Sequence, residues 1–208
     1  MELNLPSPVL HIEHLVFHFP THSVFQDCNL QFGPGINWLR GANGAGKTTL
    51  LKLAGGALLP ARGAILLDDI DSGRMPLAYR AHAFYCGGDA PALPWLQVHE
   101  FLDLHLALYP GSDQSLLNDE LSAFALTSTL QQSITALSLG QHKKLQLALA
   151  LALPVRLLLI DEPFNGLDAS AMAYLRQRLS DPARLARQCI VLTSHLAPDV
   201  PLAATVEI

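Results

Sequence analysis

The sequence predicts an α/β fold: a mainly parallel sheet flanked by helices, with short strands crowding the N-terminal end and a helical lobe inserted into the core. Three observations predict it. Aromatic and β-branched runs crowd residues 9–40, as in strands with a half-buried face. Short apolar runs at 156–160 and 189–193 have the composition of strands covered on both faces. From about Pro91 to Leu137 the apolar spacing turns helical and β-branched residues become few.

The 208 residues are 50% hydrophobic and 15% charged, enough to bury a core without disulfide or metal staples. Thirteen basic against eighteen acidic residues give a net charge of −5, which excludes a disordered chain and argues against nucleic acid as a partner. Cys28, Cys86 and Cys189 are scattered and form no CxxC pair, so they read as buried small hydrophobes in a reducing compartment. Met1 to Pro6 lacks the basic and apolar regions of a secretory signal. The most apolar stretch, Leu145 to Ile160, is interrupted by Gln146, Pro154 and Arg156 and is not expected to span a bilayer. A soluble, cytoplasmic chain working beside a membrane is the expectation.

In order along the chain, β-type runs cover Val9–Ile12, Leu15–Phe19 and Val24–Phe25 leading to Leu30–Phe32. Pro34-Gly35 turns into a buried strand, Ile36–Arg40, and a glycine-rich loop spans Gly41–Gly46. A helix follows from Lys47 to about Ala54, stopped by Gly55-Gly56. Ala64–Leu67 is a further strand, with Asp68-Asp69 as turn material. Helices are expected over Leu96–Tyr109 and Leu116–Phe124, then over Gln141–Leu153, which is apolar nearly all round and therefore buried. Arg156–Ile160 and Cys189–Thr193 are interior strands, and Ala169–Leu179 is a helix.

Gly41-Ala42-Asn43-Gly44-Ala45-Gly46-Lys47-Thr48 fits G-x-x-x-x-G-K-[ST] and lies between a predicted strand and helix. Its glycines let successive N–H groups converge on phosphate oxygens, and the new helix adds the positive end of its dipole. Lys47 supplies a positive charge to the β- and γ-phosphates, and the Thr48 hydroxyl is placed to ligate Mg²⁺; Thr49 completes the candidate ATP-binding set. Further on, Leu157–Ile160 runs into Asp161-Glu162-Pro163. At the C-terminal end of a parallel strand Asp161 would stand near the phosphate loop and hold Mg²⁺. Glu162, pointing differently along the pleat, would orient or deprotonate an attacking water. The pair of motifs implies nucleotide hydrolysis rather than phosphate binding alone.

Between them lies Leu137-Ser138-Leu139-Gly140-Gln141, and after them come Phe164-Asn165-Gly166-Leu167-Asp168 and Thr193-Ser194-His195. With these, nearly the whole chain resembles the ATP-binding subunits of ABC transporters, whose signature reads LSGGQ and whose fold is α/β, a P-loop NTPase (RecA-like) core with an N-terminal antiparallel β subdomain and an inserted α-helical subdomain. The resemblance implies a single domain over 1–208. Its α/β core with β subdomain would cover approximately 1–87 and 141–208, and its helical subdomain approximately 88–140. It also implies head-to-tail pairing of two such subunits, as a homodimer or heterodimer, with each ATP held between them. Ser138, Gly140 and Gln141 would then meet the partner's ATP, Glu162 would be the general base, and His195 would contact the γ-phosphate. Asp168 would belong to the D-loop, and Phe19, 28 positions before Lys47, would stack on adenine. Transmembrane permease subunits would be the further partners, at the cytoplasmic face of the inner membrane, with export the more natural direction. Haem-exporter subunits of cytochrome c maturation resemble the chain in length.

Two departures from the family pattern are visible. Leu139 replaces the first glycine of the signature pair, and Gly88 falls where a Q-loop glutamine is expected, with Asp89 as a candidate replacement. A soluble relative acting on nucleic acid or ribosomes fits less well, because Lys47 and Ser138 are only 91 positions apart and the cassette is single. A low-turnover interaction module would be motivated by Gly88, but Glu162 and His195 oppose it. His11, His14, His18 and His22 read as surface histidines rather than a metal set, since alternation sends His11 to the face opposite His14 and His18. His142-Lys143-Lys144 reads as a solvated helix face. Trp95 and Phe101 are candidates for a permease contact or for the helical lobe's own core.

Overall fold

The computed structural model describes residues 9–88 and 93–208. The chain runs through Leu10–Phe19 (β1), His22–Phe32 (β2), Gly35–Arg40 (β3), Lys47–Ala54 (α1), Arg62–Leu67 (β4), Ile70–Asp71 (β5), Pro76–Arg80 (α2) and Ala83–Cys86 (β6). It continues through Val98–Leu108 (α3), Gln114–Ala123 (α4), Leu139–Ala152 (α5), Leu157–Ile160 (β7), Ala169–Leu179 (α6), Pro182–Arg187 (α7), Cys189–Thr193 (β8) and Leu202–Glu207 (β9). Two sheets result: an antiparallel one in the order β2-β1-β4-β5 and a parallel one in the order β6-β7-β8-β3-β9.

The central strands are the most apolar. Every residue of β7 and β8 is buried, because both faces of this sheet are covered. Period-two alternation divides their side chains. Leu158, Ile160, Ile190 and Leu192 join α3, α4, α5 and α6 in one core. Leu157, Leu159, Cys189 and Val191 join α1 and the antiparallel sheet in another. The parallel sheet is thus the shared wall between two apolar layers, and its C-terminal strand ends carry the charged chemistry.

The N-terminal runs read as separate are two continuous strands. β1 bends at His14, whose φ is +49°, and its register against β2 and β4 shifts there. At the bulge Gly63 of β4 presses close, and a Cβ there would lie 2.4 Å from the Glu13 carbonyl. The extra residue reverses the alternation: Leu10 and Ile12 are buried before the bulge, Leu15 and Phe17 after it. His11 therefore lies on the same face as His18, contrary to the expectation from unbroken alternation. His14, His18 and His22 are exposed, and no cluster suited to a metal ion occurs among the described residues.

Other expectations shift at boundaries. α5 begins at Leu139 rather than Gln141 because Ser138 caps it: the Ser138 hydroxyl accepts from the Gln141 amide at 3.2 Å, and the Gln141 side chain accepts from the Ser138 amide at 2.9 Å. β7 begins at Leu157, with Arg156 turned outward to Asp68. Elements β5, β6, β9, α2 and α7 carry no strong periodicity, being short or, in β9, largely exposed. Phe101 is buried in the helical core, whereas Trp95 is 72% exposed. Asp89 lies outside the described residues. Among the described residues no helix is long and apolar enough to cross a membrane.

Candidate nucleotide site

The loop from Gly41 to Gly46 leads from β3 into α1 without any side-chain cap, leaving the first amides of the helix available to an anion. Gly46 adopts φ +101°, and a Cβ there would lie 2.7 Å from Val24 and 2.9 Å from the Phe25 ring. Only glycine lets β2 support the loop this closely. Lys47 curls back over the loop, its Nζ donating to the carbonyls of Gly41 at 2.8 Å and Ala42 at 3.0 Å. These contacts place the ammonium at the mouth of the loop, where it can meet a phosphate.

β7 ends beside this loop. The Thr48 hydroxyl donates to Asp161 Oδ2 at 2.6 Å, and the Thr193 hydroxyl to Asp161 Oδ1 at 2.6 Å; the Tyr85 hydroxyl approaches Oδ2 at 3.4 Å. Two hard oxygen donors, Thr48 and the nearly buried Asp161, therefore converge at the mouth of the loop, a donor set that suits Mg²⁺. Glu162 has a left-handed backbone, φ +48°, so its carboxylate leaves the strand direction. Its oxygens meet Asn165 Nδ2 at 3.3 Å and His195 Nε2 at 3.5 Å.

A cavity of about 660 Å³ joins these groups, lined among others by Asn43, Lys47, Thr48, Asp161, Glu162 and His195. Gly44, Gly46 and Thr49 also line it; Gly41, Ala42 and Ala45 complete the loop behind. Phe19 stands at the end of β1, 36% exposed, its ring edge-on to Phe17 and 5.3 Å from the ring of His22, which lines the cavity. Ser138, Gly140 and Gln141 do not line this cavity; they form the first turn of α5, beside an outward Leu139 that is 92% exposed. Asp168 caps α6 through the Ala171 amide at 2.9 Å and is paired with Lys144 at 2.5 Å. The Lys144 ammonium, the Ala171 amide and the Ser170 hydroxyl hold its carboxyl well below the usual carboxylate range.

Four neighbours of the site, Thr193, Asn165, Lys143 and Lys144, belong to stretches singled out in the sequence, but nothing in those stretches pointed to their contacts here. Thr193 bridges the two acidic residues, accepting from the Glu162 amide at 2.9 Å. Asn165 lies within the D-loop-like stretch, yet its spacing alone does not aim it at Glu162. Lys143 and Lys144 correct the expectation of a solvated face. Since α5 is buried nearly all round, the cations of its early turns extend inward, Lys143 to the carbonyls of Asp161 and Glu162 and Lys144 to Asp168. The His142 ring similarly meets the Ile134 carbonyl at 3.1 Å. Cys86, behind the acidic pair, is pushed up to about 12 by burial, against the opposing pull of Lys143, and stays a neutral thiol.

A phosphate loop opening a helix after β3, with a carboxylate pair at the end of β7 one strand away across β8, defines a P-loop ATPase. The chain belongs to the family described as ABC transporter, whose sequence pattern matches residues 25–165. It is similar to the cytochrome c biogenesis ATP-binding export protein CcmA of Methylococcus capsulatus, 34% identical over 181 residues, covering 85% of this chain and 86% of that protein. It is also similar to the taurine import ATP-binding protein TauB of Pseudomonas entomophila, 32% identical over 203 residues, 95% of this chain and 77% of that protein. Among solved structures, an ATP-binding subunit of an ABC transporter is 28% identical with a TM-score of 0.82, over 90% of this chain and 80% of that one. A dimeric post-hydrolysis ATP-binding cassette bound to ADP and Pi shares the fold, with a TM-score of 0.73 at 19% identity over 90% of this chain and 88% of that one. The chain is an ATP-binding subunit of the ABC type and an ATPase.

Proposed function

We propose that this subunit powers export through separate transmembrane permease subunits, two ATP-binding subunits closing head to tail around two ATP molecules with Mg²⁺. The observation that carries it is the meeting of four groups at one cavity: Lys47 and Thr48 from the loop, Glu162 and His195 from the strand ends. Lys47 and the amides of the loop hold the phosphates, while Thr48 and Asp161 are the residues to hold the metal. Bound there, Mg²⁺ would neutralise charge developing on the β- and γ-phosphate oxygens. Glu162 accepts a proton from the attacking water, and His195, beside it, orients that water and steadies the charge on the γ-phosphate. Phe19 stacks on adenine at the rim.

The signature residues support the paired arrangement, because Ser138, Gly140 and Gln141 stand outside their own chain's cavity and are free to meet a partner's nucleotide. Asp168 joins the same seam. The partner copy is the same chain or a homologue. The helices around 88–140 form the lobe that moves against a core of 1–87 and 141–208, and the subunit works at the cytoplasmic face of the inner membrane. Likeness to a protein named for export, matched over 86% of its length, favours the outward direction, against a relative named for import matched over 77% of its own length.

Glu162→Gln tests the reading. Phosphate release should fall by about a hundredfold or more, in line with loss of a general base, while ATP still drives dimer formation. Phosphate release at the wild-type rate would remove Glu162 from its role.

A further inference from the structure

Lys143 is a cation of the nucleotide cavity that no motif accounts for. Its Nζ donates to the main-chain oxygens of Asp161 at 3.0 Å and Glu162 at 2.9 Å, and the side chain lines the cavity. Glu162 needs such support, because its φ of +48° is disfavoured for a residue that carries a Cβ. Its amide donates to Thr193 of β8 at 2.9 Å, and its carbonyl accepts from Lys143 of α5. Both peptide groups around Glu162 are thus pinned, one by a strand and one by a helix, and the direction of the carboxylate follows from them.

The helix end of this clamp begins at the signature. Lys143 lies five residues beyond Ser138 on α5, less than two turns along a continuous helix. Any shift of the first turn that accompanies engagement of a neighbour's nucleotide carries the ammonium with it, and so the Glu162 carbonyl. Across the cavity Gly88 offers no side chain to do this, and a Cβ there would meet nothing within 4 Å.

We propose that Lys143 is a positioning residue that sets the register of the Glu162 carboxylate and makes it depend on Ser138, so that ATP in one site aligns the base of the other. The proposal rests on the reading of Glu162 as base and Ser138 as contact to the partner's nucleotide.

The test is steady-state phosphate release by the purified chain and its Lys143→Met, Lys143→Arg, Ser138→Ala, Ser138→Ala/Lys143→Met and Glu162→Gln variants, with ADP affinity measured for each. Lys143→Met should lower kcat about tenfold or more, with KM and ADP affinity within about twofold, as for a contact that matters in the transition state. Lys143→Arg should keep kcat within about threefold, since a guanidinium still donates to both carbonyls. The double variant should be no slower than the slower single one, because both changes break one linkage. Wild-type kcat in Lys143→Met, or ADP affinity lost together with kcat, would overturn the positioning role; additive losses in the double variant would overturn the dependence on Ser138. Glu162→Gln separates the two levels. If it is inactive while Lys143→Met turns over normally, only the Lys143 inference falls; if it hydrolyses ATP normally, the general-base reading itself falls.

Discussion

Thr193 shows how one side chain organises the acidic pair. Fully buried, it gives its hydroxyl hydrogen to Asp161 and takes the amide hydrogen of Glu162. Thr193→Val keeps the shape and removes both bonds, leaving a buried N–H and a carboxylate oxygen unpaired. Each such group costs about 1–3 kcal/mol, so the variant should unfold at a lower urea concentration by an amount equal to about 2 kcal/mol or more. An unchanged urea midpoint would contradict the bridging role. Residue-scale reading from sequence found Asp161 and Glu162 because an apolar run ending in carboxylates is a local pattern. Thr193 was visible only as the start of the stretch before His195; its link to the pair, from 31 and 32 residues away, has no local pattern.

The elements differ in how strongly their own residues dictate them. Helix α6 and strand β8 keep the bounds expected from periodicity, since each has a marked start and stop: Asp168 caps the one, and β8 is a bounded apolar run. Strand β9 was not legible. Leu-Ala-Ala-Thr-Val-Glu has little alternation and is mostly exposed, and it becomes a strand by pairing parallel to β3 from Ile36–Leu202 to Arg40–Glu207. Helix α3 is held to β6 by an aromatic contact that should be sensitive to acid. His105 packs 4.2 Å from the Phe101 ring and edge-on to Phe84 at 6.3 Å, and burial lowers its pKa despite the Phe101 carbonyl that accepts from it. The unfolded chain then binds this proton more readily than the folded one. Stability should fall as pH drops below about 6.5 and level off beneath the lowered folded value. His105→Leu should lose this part of the pH dependence, which urea midpoints measured across that range would detect; an identical slope in both proteins would refute the assignment.

At the scale of the whole molecule, the nucleotide cavity and the signature lie at different places on one chain. A Glu162→Gln chain with ATP should sediment as a dimer. Adding Ser138→Ala should raise the ATP concentration needed for half-dimerisation about tenfold or more, the worth of one charge-assisted hydrogen bond, while ADP binding by the monomer stays within about twofold. Dimers forming at the same ATP concentration would show that Ser138 meets no partner nucleotide.

The amino-acid sequence by itself determined the phosphate loop, the acidic strand end and the α/β class. Each rests on neighbours in the chain: glycines that must curl, apolar runs that must be covered, a lysine and hydroxyl at fixed spacing from both. Only the tertiary structure decided the bulge that turned His11 to the face of His18, the inward course of Lys143 and Lys144, and the clamp on Glu162. Those depend on which distant segments come to share a wall, and that is set by how the two cores pack against the parallel sheet.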